Sequence, residues 1–541
     1  MTSFLPLTRP DWNAIEARRL RCQKSFDAER SKAQRNRLGQ FQTPPALARG
    51  MARVLATYLE PGQAVHFGDP TFGSGAFLSA MAQVLGAERL LSAQGIELDA
   101  DLAELARDLW RGTPLQLVEG DFTDPDVRKN ALGRAPAPDF VLANPPYVRH
   151  HHLTPEAKTR LRALVARESG HKVSGLAGLY VYCLLLSWSW MARDGVAAWL
   201  VPAEWLDVNY GEALRAALLA NVQLLRVHRF DPEGAQFDEA LVSSTVIFFR
   251  NRPAPSADFE VEFSTGDNIE APQSRQRLPA SRLRAQTRWS ALFQASQTAK
   301  PVQSNEPGHV APLGELFSIR RGLATGANDF FILPREEARR RGLPSRCLRP
   351  ILPSPKALRQ PVIADDGDGY PALKGQLCLL DCSLWPAEVE RDYPALWSYL
   401  QEGCALGYDQ RYLATARSPW YRQEKRDPAP FLCTYMGRGG ASSGAPLRFL
   451  WNRSQSVASN LYLMLYPRER LASWLSEEAG RFDQVFGWLQ ALEHESLTDG
   501  GRIYGGGLHK IEPKELANVA IRVPFDPLDS RTAQLELSYG V

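Results

Sequence analysis

Apolar positions in the first half of the chain come in short blocks, and the blocks alternate between two periods. Short apolar runs bounded by turn-forming residues predict buried strands over residues 64–68, 94–98, 115–119 and 140–143. Between them, apolar residues recur at helical spacing and predict helices over 46–58 and 101–110. Further on, the pattern predicts a buried helix over 179–191 and strands over 195–201, 222–230 and 242–249, the last two closing the sheet. Strands alternating with helices imply an α/β fold with a doubly wound, mostly parallel sheet.

Each of the first four predicted strands ends in residues suited to ligands. The first runs into Asp69-Pro70-Thr71-Phe72-Gly73-Ser74-Gly75, where Gly73 and Gly75 let the backbone approach a ligand closely. No Gly-Lys-Ser/Thr follows, so this is not a triphosphate loop. The second strand ends at Glu97, with Asp99 beyond, where an acidic side chain reaches ribose hydroxyls. The third ends in Gly120-Asp121-Phe122, a carboxylate able to accept from an adenine amino group beside a ring able to stack on it. The fourth ends in Asn144-Pro145-Pro146-Tyr147. Its prolines stop the strand and stiffen the backbone. The Asn144 side-chain oxygen and the Pro145 carbonyl can then face one amino group, while the Tyr147 ring lies against a flat substrate. Upstream, Thr43 reads as the N-cap of helix 46–58 with Pro44 behind it, leaving N–H groups to hold a carboxylate. In an open parallel sheet, ligands bind at the carboxyl ends of the strands, which is where all of these residues fall.

Composition narrows the class. The 541 residues are enough for two or three domains, and a hydrophobic content of 44% supports sizeable cores. The formal charge is only +3, so a nucleic-acid partner must be met by local patches. Seven scattered cysteines point to reduced thiols and a cytoplasmic protein. The N-terminus lacks an apolar signal core and no apolar run reaches membrane-spanning length, so no membrane partner is expected. His150-His151-His152 stand in a basic helical insertion without carboxylates to complete a site, so no metal is expected. Asp365-Asp366-Gly367-Asp368 lacks the full calcium-loop pattern and reads as a solvated turn.

The same features divide the chain. Residues 1–37 form a basic helical arm, which either lies on a phosphate backbone or packs on the first domain. That domain spans 38–252, and the polar, irregular stretch 253–308 reads as a linker. In 309–525, arginines, glycine turns and aromatics interleave, as in Arg320-Arg321-Gly322, the basic run 417–426 with Trp420 and Tyr421, and Arg438-Gly439-Gly440. Such interleaving suits a surface that reads nucleic acid, although composition alone favours an ordinary mixed α/β domain with charged loops. Residues 526–541 form a tail.

With these residues in order, the chain resembles the amino-group DNA methyltransferases that use S-adenosyl-L-methionine. More narrowly it resembles the γ-type N6-adenine enzymes of restriction–modification systems, which carry a C-terminal target recognition domain. The resemblance covers residues 38–250 through ordered motifs. It extends to 310–520 through Arg321-Gly322-Leu323-Ala324-Thr325-Gly326-Ala327-Asn328-Asp329-Phe330-Phe331 and Leu508-His509-Lys510-Ile511-Glu512-Pro513-Lys514-Glu515-Leu516. It implies a Rossmann-like class I methyltransferase domain followed by a mixed α/β recognition domain. It implies that Thr43 sits near the methionine carboxylate, that Asp69, Thr71, Gly73 and Gly75 line the methionine end, that Glu97 holds the ribose, and that Asp121 and Phe122 hold the adenine of the cofactor. Asn144, Pro145, Pro146 and Tyr147 would receive the target base, with Phe237 stacked on it. The implied partners are double-stranded DNA and a separate restriction endonuclease or defence-system subunit, because no Pro-Asp…Asp/Glu-x-Lys nuclease pattern is found. The alternatives are an N4-cytosine enzyme, a protein glutamine methyltransferase, which shares the Asn-Pro-Pro-Tyr turn in a much shorter chain, and a non-catalytic specificity module, against which intact Asn144 and Tyr147 argue.

This division predicts where sequence choice resides. Exchanging residues 309–525 for those of a relative should exchange the methylated sequence, as read by methylated-base sequencing. Specificity that instead followed residues 1–250 would overturn the assignment.

Overall fold

A computed structural model describes residues 11–30, 42–231, 243–255, 258–293, 309–438, 447–492, 502–504 and 508–523. The chain divides into two compact units, Met1–Pro301 and Val302–Val541.

In the first unit the described strands are β1 (Val65–Asp69), β2 (Leu90–Glu97), β3 (Leu115–Glu119), β4 (Phe140–Ala143), β5 (Val196–Pro202), β6 (Gln223–Arg229), β7 (Ser244–Arg250), β8 (Glu260–Thr265) and β9 (Ser274–Pro279). They form one sheet in the order β3-β2-β1-β4-β5-β7-β6-β8-β9. The pairs β1–β2, β2–β3, β1–β4 and β4–β5 are parallel, and β7 lies antiparallel between β5 and β6. The helices are α1 (Trp12–Ala28), α2 (Pro45–Ala56), α3 (Ala76–Leu85), α4 (Ala100–Leu109), α5 (Pro125–Arg134), α6 (Pro155–Ser169) and α7 (Leu179–Ser187), with further short helices beyond.

Two hydrophobic cores flank the sheet. Phe140 and Leu142 of β4 pack with α2, α3 and α4, while Val141 and Ala143 pack with α6 and α7. Successive strand side chains point to opposite faces, so a strand covered on both faces is apolar throughout. That is why β4 reads as an unbroken apolar run rather than an alternating one.

The stretch expected as a linker differs from that expectation. β8 pairs in parallel with β6, and β9 pairs antiparallel with β8, so residues 258–279 extend the sheet instead of leaving it. Val261 and Phe263 alternate with Glu260 and Glu262, the period of a strand with one better-covered face. The prolines and serines nearby hid that alternation. Polar side chains stitch this edge down. Arg226 Nε donates to Ser264 Oγ (2.9 Å), and its Nη2 donates to the Ile269 carbonyl (2.7 Å). His228 Nε2 donates to the Gly266 carbonyl (3.0 Å), which leaves Nδ1 to accept from Ser264 (2.9 Å) and makes the ring neutral.

The N-terminal segment is the packed helix of the two readings. Asp11 caps α1, accepting from the backbone of Asn13 and Ala14, and Trp12 lies against Trp110 at 5.9 Å.

In the second unit, Phe317–Arg321, Tyr462–Pro467, Phe431–Thr434, Phe449–Asn452 and Val362–Ile363 form a sheet in that spatial order. Ile332–Pro334, Leu377–Leu380 and Leu348–Ile351 form a smaller one, as do Met436–Arg438, Leu508–Lys510 and Arg502–Tyr504. The Cys382 sulfur lies 3.0 Å from that of Cys347. Among the described residues no helix is long and apolar enough to cross a membrane.

Burial, with the Arg226 charge next, pushes the His228 imidazole down to about 3, from a usual value of 6.5. A folded-state value below the unfolded one means that the unfolded chain takes up the proton first as pH falls. The contribution is complete above 6.5 and is lost as pH drops toward 3. The thermal midpoint should therefore fall across that range, and His228→Gln, less stable at neutral pH, should fall less; equal slopes in scanning calorimetry would count against this.

Candidate active site

The strand order reverses at β1: the chain runs outward through β2 and β3, then returns to lay β4 on the other side of β1. Such a switch point leaves a crevice at the carboxyl ends of the two central strands. Phe67 pairs with Phe140 and Gly68 with Val141, so Asp69 and Asn144 emerge close to one another from neighbouring strands.

The glycine turn fills one side of this crevice. Gly73 (φ +58°) and Gly75 (φ +87°) are both left-handed. A side chain on Gly75 would fall on the Trp110 indole and on Phe72, whereas the space above Gly73 is open. Gly73 N–H donates to Glu97 Oε2 (2.8 Å), and Asp99 N–H donates to Glu97 Oε1 (2.8 Å). The carboxylate at the end of β2 thereby joins the turn to the acidic loop. Burial pushes the Glu97 carboxyl up, against the pull of these backbone N–H groups.

Asp69 is 1% exposed. Its Oδ1 accepts from the Thr71 backbone (3.0 Å), and among the described residues no lysine, arginine or histidine pairs with it. Burial, with Glu97 nearby, pushes this carboxyl up to about 8.

Asn144 is tied to the same group of residues. Thr71 Oγ1 donates to the Asn144 carbonyl (3.2 Å), and Asn144 Nδ2 donates to Thr43 Oγ1 (3.1 Å). Thr43 is therefore not the cap of α2: the helix is entered through Pro44, with no side-chain cap. The hydroxyl expected at the helix start is spent on orienting the asparagine amide. The structure thus brings Thr43, Asp69, Thr71 and Asn144 into one hydrogen-bonded group and Gly73 and Glu97 into a second, with the Glu97 charge felt by Asp69.

Pro145 is buried and Pro146 half-buried beyond Asn144. The Tyr147 ring is half-buried with its hydroxyl turned inward toward Ser244, and burial raises that phenol above the usual tyrosine range. Behind it stand Tyr180 and Tyr210, whose hydroxyl donates to Glu204 Oε2 (3.0 Å). Glu204 and the tyrosines carry no sequence signal for this position, because only the packing of α7 and the end of β5 brings them there.

Asp121 and Phe122 diverge. Asp121 is half-exposed; its Oδ1 accepts from Thr123 N–H (2.7 Å) and Oδ2 lies 3.5 Å from Arg160. Phe122 is 4% exposed, edge-on to Trp190 at 5.5 Å and under the Arg128 guanidinium at 5.6 Å, so its ring is a core wall rather than an open platform. Phe237 lies outside the described residues.

In the second unit the two signature segments meet. The Arg321 guanidinium lies over the Tyr435 ring at 4.2 Å, and Lys510 lies 5.1 Å from the same ring. Tyr435 donates to Glu512 (2.7 Å), which also pairs with Lys510 (2.8 Å). The basic run expected on the surface is divided: Arg422 and Lys425 are exposed, while its first residues turn inward. Arg417 donates to the Ala324 and Thr325 carbonyls, Trp420 stacks on Phe330 at 5.6 Å, and buried Tyr421 donates to the Leu384 carbonyl (2.7 Å). Large rings and a guanidinium fork that satisfies loop carbonyls hold irregular backbone together, and sequence alone does not separate that use from a binding surface. Among the described residues no group of His, Cys, Asp and Glu could hold a metal.

Residues 132–236 match the model of the family described as Eco57I restriction-modification methylase, and residues 286–537 match that of the Type II methyltransferase M.Eco57I, C-terminal domain. The chain is 30% identical over 492 residues to the type II methyltransferase M.XamI of Xanthomonas campestris pv. amaranthicola, covering 90% of this chain and 85% of that one. It is 24% identical over 535 residues to the type II methyltransferase M.AccI of Acinetobacter calcoaceticus, covering 94% and 90%. Among solved structures, the type IIL restriction–modification enzyme MmeI in complex with DNA aligns with a TM-score of 0.54 at 14% identity, over 88% of this chain and 64% of that one. At that identity the likeness is one of fold, and the chain spans less than two thirds of that enzyme's length. A match sustained along nearly the whole chain shows that the protein belongs to the type II methyltransferases of restriction–modification systems.

Proposed function

We propose that the protein transfers a methyl group from S-adenosyl-L-methionine to the N6 amino group of an adenine extruded from double-stranded DNA, as the modification component of a restriction–modification or related defence system. The observation that carries this reading is the tether of Asn144 to Thr43 and Thr71 at the switch point, beside the glycine turn.

The pocket residues fit the cofactor by their charge. Asp69 is a buried carboxyl beside Glu97 with no cation paired to it among the described residues, and a ligand that brings positive charge completes it. The open space above Gly73 admits such a ligand against the backbone. Asp69, Thr71, Gly73 and Gly75 hold the methionine end, Thr43 stands beside it, Glu97 takes the ribose, and Asp121 with the Phe122 wall takes the adenine. S-adenosyl-L-methionine supplies, when bound, an electrophilic methyl group on a sulfonium.

The chain's own task is to make a weak nucleophile available. Asn144 Oδ1 and the Pro145 carbonyl accept from the target NH₂, drawing its nitrogen toward tetrahedral geometry and freeing its lone pair from the ring. With its Nδ2 held by Thr43, the amide presents its oxygen without having to reorganise. Pro145 and Pro146 keep the turn stiff, which fixes the approach of the amine. Extruding a base costs about a few kcal/mol. Stacking on Tyr147 and Phe237 offsets roughly 1–3 kcal/mol of that per stacked base. Arg321 and Lys510, mounted on Tyr435 in the second unit, offer a rigid basic surface for DNA phosphates or base edges.

Sequencing of DNA from cells expressing the protein should show N6-methyladenine at one sequence context; N4-methylcytosine there would overturn the base assignment. Asn144→Ala should lower turnover by at least about a hundredfold while S-adenosylhomocysteine affinity in calorimetry stays close to wild type; retained turnover would remove Asn144 from the mechanism.

A second expectation follows from Asp69. The α-ammonium of the methionine end, which S-adenosylhomocysteine keeps although it lacks the sulfonium, binds the ionised form of Asp69, so binding releases a proton and affinity climbs as pH rises toward 8. Asp69→Asn should bind S-adenosylhomocysteine more weakly and with a flat pH profile. A wild-type affinity independent of pH would mean that Asp69 does not face the charge.

A further inference from the structure

The N-terminal helix contributes two arginines to the loops of the pocket. Arg19 is 2% exposed. Its Nη1 donates to Ser74 Oγ (3.0 Å), on the residue between Gly73 and Gly75. Its Nε and Nη2 donate to Glu16 (2.6 and 2.8 Å). Burial pushes the Glu16 carboxyl up, but hydrogen bonds from Arg19 and from Ser79 of α3 outweigh it and hold Glu16 below its ordinary value. At the far end of the helix, Arg30 grips Asp99 with both guanidinium nitrogens (2.6 and 3.2 Å). Ser74 is pinned on its backbone as well, because Trp110 Nε1 donates to its carbonyl (2.9 Å) while the Trp110 ring packs on Trp12 of α1.

These contacts close a circuit. Arg19 holds Ser74, the neighbouring Gly73 N–H is held by Glu97, Glu97 holds the Asp99 N–H, and Asp99 is held by Arg30. The helix thereby spans both loops that the cofactor reading assigns to the methionine and ribose ends. We propose that α1 is a positioning element for cofactor binding, with Arg19 and Arg30 as the positioning residues that keep the glycine turn and the acidic loop in register. This rests on the reading of the pocket as an S-adenosyl-L-methionine site.

Stability alone does not account for the arrangement. A buried ion pair is a weak source of stability, and apolar residues of similar size commonly replace one without loss. Leucine and methionine at positions 16 and 19 would fill the same volume. What they cannot supply is a donor to Ser74 Oγ. The fold and the shape of the turn are therefore separable at this site. Nor do these two arginines serve a phosphate backbone, since each is already committed to a carboxylate.

The test uses the full chain, with Glu16→Leu/Arg19→Met, Arg19→Lys and Arg30→Gln. Calorimetry should show S-adenosylhomocysteine affinity weakened about tenfold or more in the double variant, the loss expected when a charged donor is removed, with the thermal midpoint close to wild type. Arg19→Lys should recover part of the affinity. The KM for the methyl donor should rise while kcat and the KM for DNA hold. Arg30→Gln leaves no buried hole and should show the same split, so the proposal is decided even if the double variant does not fold. Unchanged affinity and KM in both sets overturn it, as does a loss of DNA affinity with the cofactor unaffected, which would make α1 a phosphate-binding arm. Wild-type protein that fails to bind S-adenosylhomocysteine would overturn the reading of the pocket instead, a result visible before any variant is made.

Discussion

The reversal of strand order at β1 is the constraint on which the site depends. Because β4 returns beside β1, Asp69 and Asn144 leave the sheet next to each other although 75 positions separate their numbers in sequence. A parallel sheet aligns the carboxyl ends of its strands on one edge, so every loop carrying chemistry opens on the same side. The two cores that cover the sheet make this edge rigid. Strands β1 and β4 are nearly wholly buried, and β4 packs against apolar layers on both of its faces.

On that scaffold the local geometry is held by hydrogen bonds from backbone to carboxylate. Glu97 accepts from two backbone N–H groups and so ties the loop after β1 to the loop after β2, beyond the last paired residues of the two strands. Asp69, by contrast, is kept buried and without a cationic partner among the described residues, at an energetic cost expressed in its raised ionisation. A fold tolerates such a group where a ligand completes it. The two carboxylates differ in their satisfaction: Glu97 accepts from two loop N–H groups, while Asp69 accepts from the Thr71 backbone with no cation beside it among the described residues.

The second unit is organised differently. Its sheets are short and much of its backbone is irregular, so aromatic rings and arginine forks do the work that strand ladders do in the first unit. Phe330 stacks on Tyr399 at 4.7 Å and on Tyr408 at 4.9 Å, and Arg417 ties down the loop after Leu323. Arginines and aromatics are thus spent on internal bracing around Phe330 and, around buried Tyr435, on a group in which exposed Arg321 covers the ring and Lys510 pairs with Glu512.

The first four strands, their order in the chain and the polar residues at their ends were legible because both-face burial writes an unbroken apolar run and turns write glycine and proline. Asn144, Asp69 and Glu97 could be picked out for the same reason: each sits at a boundary between such a run and a turn. Strands β8 and β9, at the far side of the sheet, were not legible, since short runs that mix glutamate, serine and arginine with a few apolar residues carry too little apolar signal to outweigh neighbouring prolines. The inward turn of Arg417, Trp420 and Tyr421 was equally invisible, because a guanidinium or an indole has the same composition whether it faces carbonyls or solvent. Sequence by itself determined the elements and the chemistry available at their ends, for these follow from local periodicity and side-chain type. Only the tertiary structure decided that Thr43 holds Asn144, that Arg19 reaches Ser74 and that Glu97 reaches Gly73, because each contact joins residues distant in the chain through a few ångströms of packing that no local pattern encodes.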